Sequence, residues 1–182
     1  MDSNQLRYLV AHDSYLKKYS CSIITDIEIP FILPQNELFF ILTSIRKKKN
    51  GSEGKGVVIG HWVLIDSLNK SKSNKKQITY FDPYGSNVTS VKVRNCLKRS
   101  LLYHKATLNI NRKNYQHKYS TICGPIVAYI ALLRARGFTL HVIQKKKLSK
   151  NLLFIVKVVP DLISFFLPKQ NRMLKRFSLD FL

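Results

Sequence analysis

The hydrophobic residues of the chain fall into short runs separated by polar, proline-containing or lysine-rich segments. Two runs, residues 57–66 and 77–82, are rich in β-branched and aromatic residues and bounded by polar ones, which is typical of strands. The segment between them, residues 69–76, is largely Lys, Ser and Asn and predicts an exposed turn. Since one loop joins the two strands, we expect them to pair antiparallel.

Three other segments predict helices: residues 6–16 and 91–103 carry hydrophobic residues at helical spacing, and residues 123–136 form an apolar, helix-forming run. Ser3 is the expected N-cap of the first helix. The third segment is apolar almost throughout and stops at Gly137, which predicts a helix buried in the core.

The pattern of the intervening segments is less decisive. Residues 23–34 contain Pro30 and Pro34 and predict loops or extended chain. Residues 37–45 are apolar and aromatic, which fits either a helical turn or a buried strand. Residues 107–110 predict a further strand.

Two further segments are charged or interrupted. Residues 46–51 predict a charged hairpin or loop. Residues 152–167 are apolar, but Lys157, Pro160 and Asp161 interrupt them, and they are shorter than the roughly 20 residues of a membrane-spanning helix. They predict a helix that packs on the protein or binds a partner.

Length and composition fit one α+β domain. The chain has 182 residues, of which 45% are hydrophobic, enough for a real core. We expect a central mixed or antiparallel sheet packed against the helix of residues 123–136. The candidate catalytic part spans about residues 23–137, and a basic C-terminal extension covers residues 138–182.

The charge is strongly positive. There are 31 Lys and Arg residues against 10 Asp and Glu, a formal net charge of +21, which attracts polyanions. Nucleic acid is the favoured partner and an anionic membrane the second. Each basic patch is also explained as a solubilising loop. The candidate DNA contacts, to phosphates without sequence reading, are Arg46, Lys47, Lys48, Lys49, Lys70, Lys72, Lys75, Lys76, Lys145, Lys146 and Lys147.

The cysteines and the N-terminus indicate the compartment. Three cysteines without a CxxC pair argue against a disulfide framework or a zinc site. A reducing intracellular compartment is the simplest setting. Residues 1–4 are polar and acidic and do not resemble a signal peptide.

Three residues form a candidate catalytic set. Cys123 begins the buried helix, where unpaired N–H groups and the helix dipole favour thiolate. His61 lies within an apolar strand, and Asp82 ends the next strand. Each alone has an ordinary explanation, as a buried small residue, a core histidine and a turn-capping aspartate. Paired strands would let Asp82 orient His61, leaving the other ring nitrogen for Cys123.

Two further residues fit the same chemistry. A tetrahedral oxyanion needs hydrogen-bond donors, which the Cys123 backbone N–H and the side-chain amide of Gln116 would supply. Gly124 leaves space for a substrate backbone beside the nucleophile.

The chain resembles a known protease family at these motifs. Residues 60–62 (Gly-His-Trp), residues 80–85 (Tyr-Phe-Asp-Pro-Tyr-Gly), Gln116 and residues 123–124 (Cys-Gly) resemble the adenovirus-type cysteine proteases, or adenains. Relatives of that family occur in large DNA viruses and virus-like mobile elements, and its clan includes the SUMO-specific proteases. Gln116 precedes the cysteine by seven residues, as in the adenovirus enzyme. The resemblance covers roughly residues 23–136.

The resemblance implies a permuted papain-like fold and a role for each matching residue. His61 would be the general base, Asp82 its orienting carboxylate and Cys123 the nucleophile. Gln116 would be the oxyanion donor, and Trp62 would border the site. The adenovirus enzyme carries Glu in place of the aspartate, and either carboxylate can orient a histidine.

The resemblance also implies a biological setting. It predicts a monomeric endopeptidase that cleaves capsid and core precursors in virions and in the host nucleus or cytoplasm. DNA would be its activator, with no metal or small-molecule cofactor. The adenovirus enzyme binds an activating peptide through a disulfide to a cysteine eighteen residues before its nucleophile. Lys105 stands there in this chain, which argues against a disulfide-linked peptide.

Two alternatives remain open. A deubiquitinase or SUMO-type deconjugating peptidase would use the same chemistry on a different substrate. A basic DNA-binding virion protein without catalysis would explain the charge but leave the four matching residues to coincidence.

Overall fold

The computed structural model describes residues 1–47, 57–67, 76–115 and 122–145, all within the compact unit Met1–Lys146. Within these residues the chain forms one mixed sheet with helices on both faces, an α+β arrangement as predicted. The strands are β1 (Ser20–Thr25), β2 (Glu37–Lys47), β3 (Val57–Asp66), β4 (Gln77–Phe81) and β5 (Thr107–Ile110). The helices are α1 (Ser3–His12), a 3₁₀ turn (Leu16–Lys18), α2 (Val91–His104), α3 (Cys123–Ala135) and α4 (Leu140–Lys145).

The strands lie in sequence order, with β3 at the centre of the sheet. β3 pairs antiparallel with β2 and β4, which confirms the predicted pairing of β3 and β4. The outer pairs, β1 with β2 and β4 with β5, are parallel. Since both faces of the central strand are covered, β3 is hydrophobic almost throughout rather than alternating.

Helices α2 and α3 cover the two faces of the sheet. Val63 and Ile65 of β3 pack in one hydrophobic cluster with Cys96 and Leu97 of α2. The alternate residues of β3 point to the other face, where α3 lies. Every residue of α3 except Pro125 is buried, which confirms the core helix predicted from its apolar sequence.

The start of α1 differs from the prediction. Its N-cap is Asp2 and not Ser3. The Asp2 carboxylate accepts the Gln5 backbone N–H, and the Gln5 side chain accepts the Asp2 N–H, a reciprocal capping box. The residue three positions after Ser3 is Leu6, which has no such group, so Ser3 becomes the first helical residue. The helix ends at His12, before the 3₁₀ turn.

The structure decides or corrects the predictions for four local segments. The segment after Glu37 is a strand and not a helical turn, and it continues through Arg46 and Lys47, so those two residues are not loop. Ser20–Thr25 is a strand that the polar residues at its start concealed. Leu140–Lys145, predicted only as the start of a basic tail, is a short helix. The predicted helix at 152–167 lies outside the described residues.

No helix in the described part of the chain is long and apolar enough to cross a membrane.

Candidate active site

The antiparallel pairing of β3 and β4 places His61 beside Asp82. Phe81 lies opposite Leu64 in the register, so the chain leaving β4 runs back toward His61. His61 Nε2 and Asp82 Oδ1 are 2.8 Å apart, and both side chains are almost fully buried. The structure therefore brings together the two residues that the sequence predicted as base and orienting carboxylate.

A tight turn holds the Asp82 carboxylate in place. The Asp82 carbonyl accepts the Gly85 N–H at 2.8 Å, and Asp82 Oδ1 also accepts the Tyr84 N–H at 2.8 Å. Gly85 has φ +67°, and a Cβ there would lie 2.8 Å from the Lys113 backbone, so the turn requires glycine. Because the turn is fixed from several sides, the carboxylate is oriented before any substrate binds.

Asn111, just after β5, supports this turn and was not identified from the sequence. Its Oδ1 accepts the Asp82 N–H at 2.7 Å, and its Nδ2 donates to the Asp82 carbonyl at 2.8 Å. The side chain is completely buried. A polar residue at the end of a strand was the available signal, but nothing in the sequence indicated its partner.

Tyr84 is a second neighbour of the histidine that had no assigned role. Its ring stacks on the His61 imidazole, with centroids 4.8 Å apart and an interplanar angle of 24°. Burial, then the negative charges of Cys123 and Asp82, raise the pKa of the Tyr84 hydroxyl. The tyrosine therefore packs beside the histidine as a neutral ring.

Cys123 is the first residue of α3, as predicted. The N-cap, Ile122, has no polar side-chain atom, so its side chain supplies no acceptor for the first-turn N–H groups. The Cys123 sulfur instead lies close to the His61 side chain and to the backbone of Trp62 and Gly124, and all three act to lower its pKa. With Nε2 engaged by Asp82, Nδ1 is the ring nitrogen left for the cysteine.

The electrostatics of the site favour a thiolate–imidazolium pair. Burial alone would lower the pKa of His61, but hydrogen bonds to Asp82 and Cys123 and their negative charges raise it to about 9. Burial alone would raise the pKa of Cys123, but the hydrogen bond and charge of His61, with the two backbone donors, lower it overall. Both shifts have the direction of proton transfer from the thiol to the imidazole, which makes the sulfur the more nucleophilic thiolate.

The other two cysteines have the opposite environment. Burial, followed by the charge of Glu37, raises the pKa of Cys21 to about 12. Burial also raises the pKa of Cys96, against the smaller opposing effects of its neighbours. All three cysteines are free, so the lowered pKa of Cys123 is due to its surroundings.

Trp62 and Gly124, predicted to border the substrate, lie side by side. A Cβ on Gly124 would be 3.2 Å from Trp62 Cδ1 and 2.8 Å from the Met1 Cβ. The indole Nε1–H of Trp62 donates to the Met1 carbonyl at 3.1 Å. The two residues thus contact each other and Met1 next to the cysteine.

Gln116, the predicted oxyanion donor, lies outside the described residues. So do seven of the candidate DNA contacts: Lys48, Lys49, Lys70, Lys72, Lys75, Lys146 and Lys147. Arg46 and Lys47 lie in β2 and Lys145 ends α4, while Lys76 is half-buried just before β4. Among the described residues, no group of three His, Cys, Asp or Glu side chains is placed to hold a metal ion.

No protein-family model matches the chain, and no curated protein sequence matches it. Two crystal structures of the ASFV pS273R protease, one of them the selenomethionine form, are similar to it. The first has 19% identity and a TM-score of 0.38 and covers 60% of this chain. The second has 20% identity and a TM-score of 0.41 and covers 65%. The match covers 37% and 42% of those chains, so this chain matches about two-fifths of their length.

Proposed function

We propose that this chain is a cysteine peptidase with Cys123 as nucleophile, His61 as general acid and base, and Asp82 as the orienting carboxylate. The observation that carries the proposal is the buried array itself. Asp82 lies 2.8 Å from one nitrogen of His61, and Cys123, the first residue of α3, is close enough to the same ring to raise its pKa. A structural histidine has no need of both partners together with a cysteine at a helix N-terminus.

The first half of the reaction is acylation. The Cys123 thiolate attacks the scissile carbonyl carbon and forms a tetrahedral intermediate with a negatively charged oxygen. The Cys123 backbone N–H, at the N-terminus of α3, stabilises that oxygen, with the Gln116 amide as the second donor. The His61 imidazolium then protonates the leaving amine, and a thioester remains on Cys123.

The second half is hydrolysis of the thioester. His61, now neutral, takes a proton from a water molecule that attacks the thioester carbonyl. Collapse of the second tetrahedral intermediate expels the thiolate and releases the acid. Asp82 stabilises the imidazolium formed in this step and keeps the ring in one orientation.

We further propose a permuted papain-like fold and an adenain-type endopeptidase that matures viral capsid and core precursors. Support comes from the chain order His61, Asp82, Gln116, Cys123 and from the motifs around them. The mixed sheet with a nucleophile-bearing helix packed on its central strand is compatible with that fold.

DNA is the proposed activator. The net charge of +21 supports non-specific attraction to phosphates, which weakens steeply as salt rises. The basic runs 46–49, 70–76 and 145–147 are the proposed contacts. The chemistry needs only protein groups, and the proposed enzyme acts as a monomer in the virion and in the reducing interior of the host cell.

Labelling and cleavage test the proposal together. At pH 7, iodoacetamide should alkylate Cys123 and spare Cys21 and Cys96, which serve as internal controls in the same molecule. A peptidyl vinyl sulfone should label the same residue, and peptide cleavage should rise when DNA is added at low salt. Mass spectrometry locates the label, and Cys123→Ala should abolish both labelling and cleavage.

Each of the following results would change the proposed function. Equal alkylation of all three cysteines, or cleavage that survives Cys123→Ala, would exclude this site. Selective labelling by ubiquitin- or SUMO-based probes would point to a deconjugating peptidase. Salt-sensitive DNA binding with no hydrolysis under any condition would leave only the non-catalytic DNA-binding protein.

A further inference from the structure

Met1 lies against the two residues that flank the proposed reactive pair. Its carbonyl oxygen accepts the Trp62 indole N–H at 3.1 Å. A Cβ on Gly124 would be 2.8 Å from the Met1 Cβ and 3.2 Å from the Met1 carbonyl oxygen. The space above Gly124, where a substrate backbone is expected, is therefore filled by the main chain and side chain of Met1.

The capping box of α1 fixes this position. Asp2 and Gln5 exchange two hydrogen bonds of 2.9 Å, so the backbone that carries Met1 enters the helix at a defined angle. The box involves no residue of the reactive pair. It therefore determines where Met1 lies without taking part in the chemistry of Cys123.

A second anchor holds the same segment at the other end of α3. The Asp13 carboxylate lies 2.8 Å from Arg136 Nη2, and the Arg136 guanidinium lies over the Tyr15 ring at 4.5 Å. Arg136 is the C-cap of α3, while Gly124 is its second residue. Residues 1–15, here called the N-terminal strap, thus contact α3 near both of its ends.

The strap and a bound peptide need the same space. Cys123 is only 8% exposed. Attack requires the scissile carbon within about 3.5 Å of the sulfur, which brings the neighbouring peptide backbone over Gly124. Since Met1 occupies that position, a peptide substrate has to displace it.

We propose that the N-terminal strap is an autoinhibitory plug whose Met1 end must leave the Trp62–Gly124 cleft before a peptide binds. The inference rests on the proposed peptidase function and adds a regulatory step to it. A substrate that binds only the open form has its apparent affinity reduced by the open fraction. Weakening the capping box should raise that fraction without changing the reactive pair.

The double variant Asp2→Ala/Gln5→Ala tests the plug. Loss of a helix cap shifts a local equilibrium by about five- to tenfold, so the second-order rate of Cys123 labelling by a peptidyl vinyl sulfone should rise by about that factor. Ser90→Ala is the matched control, because Ser90 caps α2 by accepting the Val93 N–H and does not touch the cleft. It should leave the labelling rate unchanged.

The outcomes separate the plug from the peptidase. If the double variant is labelled at the wild-type rate or more slowly, while iodoacetamide still alkylates Cys123 selectively at pH 7, the plug is wrong and the peptidase stands. If neither reagent labels Cys123 selectively in any variant, the peptidase fails and the plug fails with it. Equal acceleration in Ser90→Ala would show a general effect of destabilisation and would also overturn the plug.

Discussion

Strand β3 carries two buried charge pairs, five residues apart, and they differ in what they can do. His61 is joined to Asp82, which follows β4. Asp66 is joined to Arg134, near the C-terminal end of α3. All four side chains are shielded from solvent. Burial and pairing alone therefore do not distinguish a reactive group from a structural one.

The difference lies in which proton can move. Arginine binds a carboxylate through a rigid planar fork of N–H donors and, among the described residues, has no nucleophile beside it here, which suits the pair of Asp66 and Arg134 to holding two elements together. The pKa of His61 is raised to about 9 and the Cys123 sulfur lies beside it, so its proton can pass between groups. We infer that the pair of Asp66 and Arg134 is structural and that the pair of His61 and Asp82 is chemical.

The two pairs act on the same helix. Trp62 and Asp66 lie on one face of β3, and they contact Gly124 and Arg134, near opposite ends of α3. The structural pair therefore fixes how α3 lies along β3. That placement sets the distance from Cys123, at the start of the helix, to His61.

The largest expected effect comes from breaking the chemical pair. His61→Ala removes both the proton acceptor and the charge that lowers the pKa of Cys123. Peptide cleavage should fall by about 10⁴- to 10⁶-fold. Steady-state kinetics on a fluorogenic peptide measures the loss, with chemical denaturation as the check that the variant is folded. An active His61→Ala enzyme would mean that another residue is the base.

Arg134→Leu should affect mainly the stability of the fold, in contrast to His61→Ala. It leaves the Asp66 carboxylate buried without its guanidinium, which should lower the free energy of unfolding by about 3–5 kcal/mol. Urea denaturation measures this change. Adding Asp66→Asn to Arg134→Leu removes the unpaired charge and should recover part of the loss. A stability unchanged by Arg134→Leu would contradict the structural role.

The chemical pair was predictable from the sequence and the structural pair was not. A histidine inside an apolar strand, an aspartate before a proline and a cysteine before an apolar helix are local signals. The pairing of Asp66 with Arg134 joins residues 68 positions apart through the packing of α3 on β3. Each is an ordinary charged residue at the end of its element, so no local pattern indicated the partner.

The secondary-structure elements also divide into those that the sequence predicted and those that only tertiary packing defines. β3 and α3 are long, apolar and flanked by polar residues or by Gly137, so their bounds followed from where each apolar run starts and stops. β1 begins with Ser20, Cys21 and Ser22 and pairs parallel with β2, a contact that only the folded chain defines. The position of Met1 in the cleft likewise depends on tertiary packing, although the Asp2 capping box was readable from the sequence.

Asp82→Asn gives the smallest and most specific effect. The amide keeps the shape and one acceptor oxygen but removes the negative charge with which Asp82 helps to raise the pKa of His61, so that pKa should fall below about 9. In the wild type, the His61 imidazolium loses its proton as pH rises through about 9, and the stability from its pairing with Asp82, full below the ordinary pKa of 6.5, is lost over that rise. In the variant that pairing is absent and the imidazolium should lose its proton at lower pH, so alkaline activity should fall about tenfold for each pH unit by which the pKa of His61 drops. The pKa of the His61 ring, measured by NMR titration, and the alkaline limb of the kcat/KM profile should shift to lower pH together. Asp26→Asn, the same chemical change in the turn after β1, should move neither, and an unshifted alkaline limb in Asp82→Asn would mean that Asp82 does not set the protonation of His61.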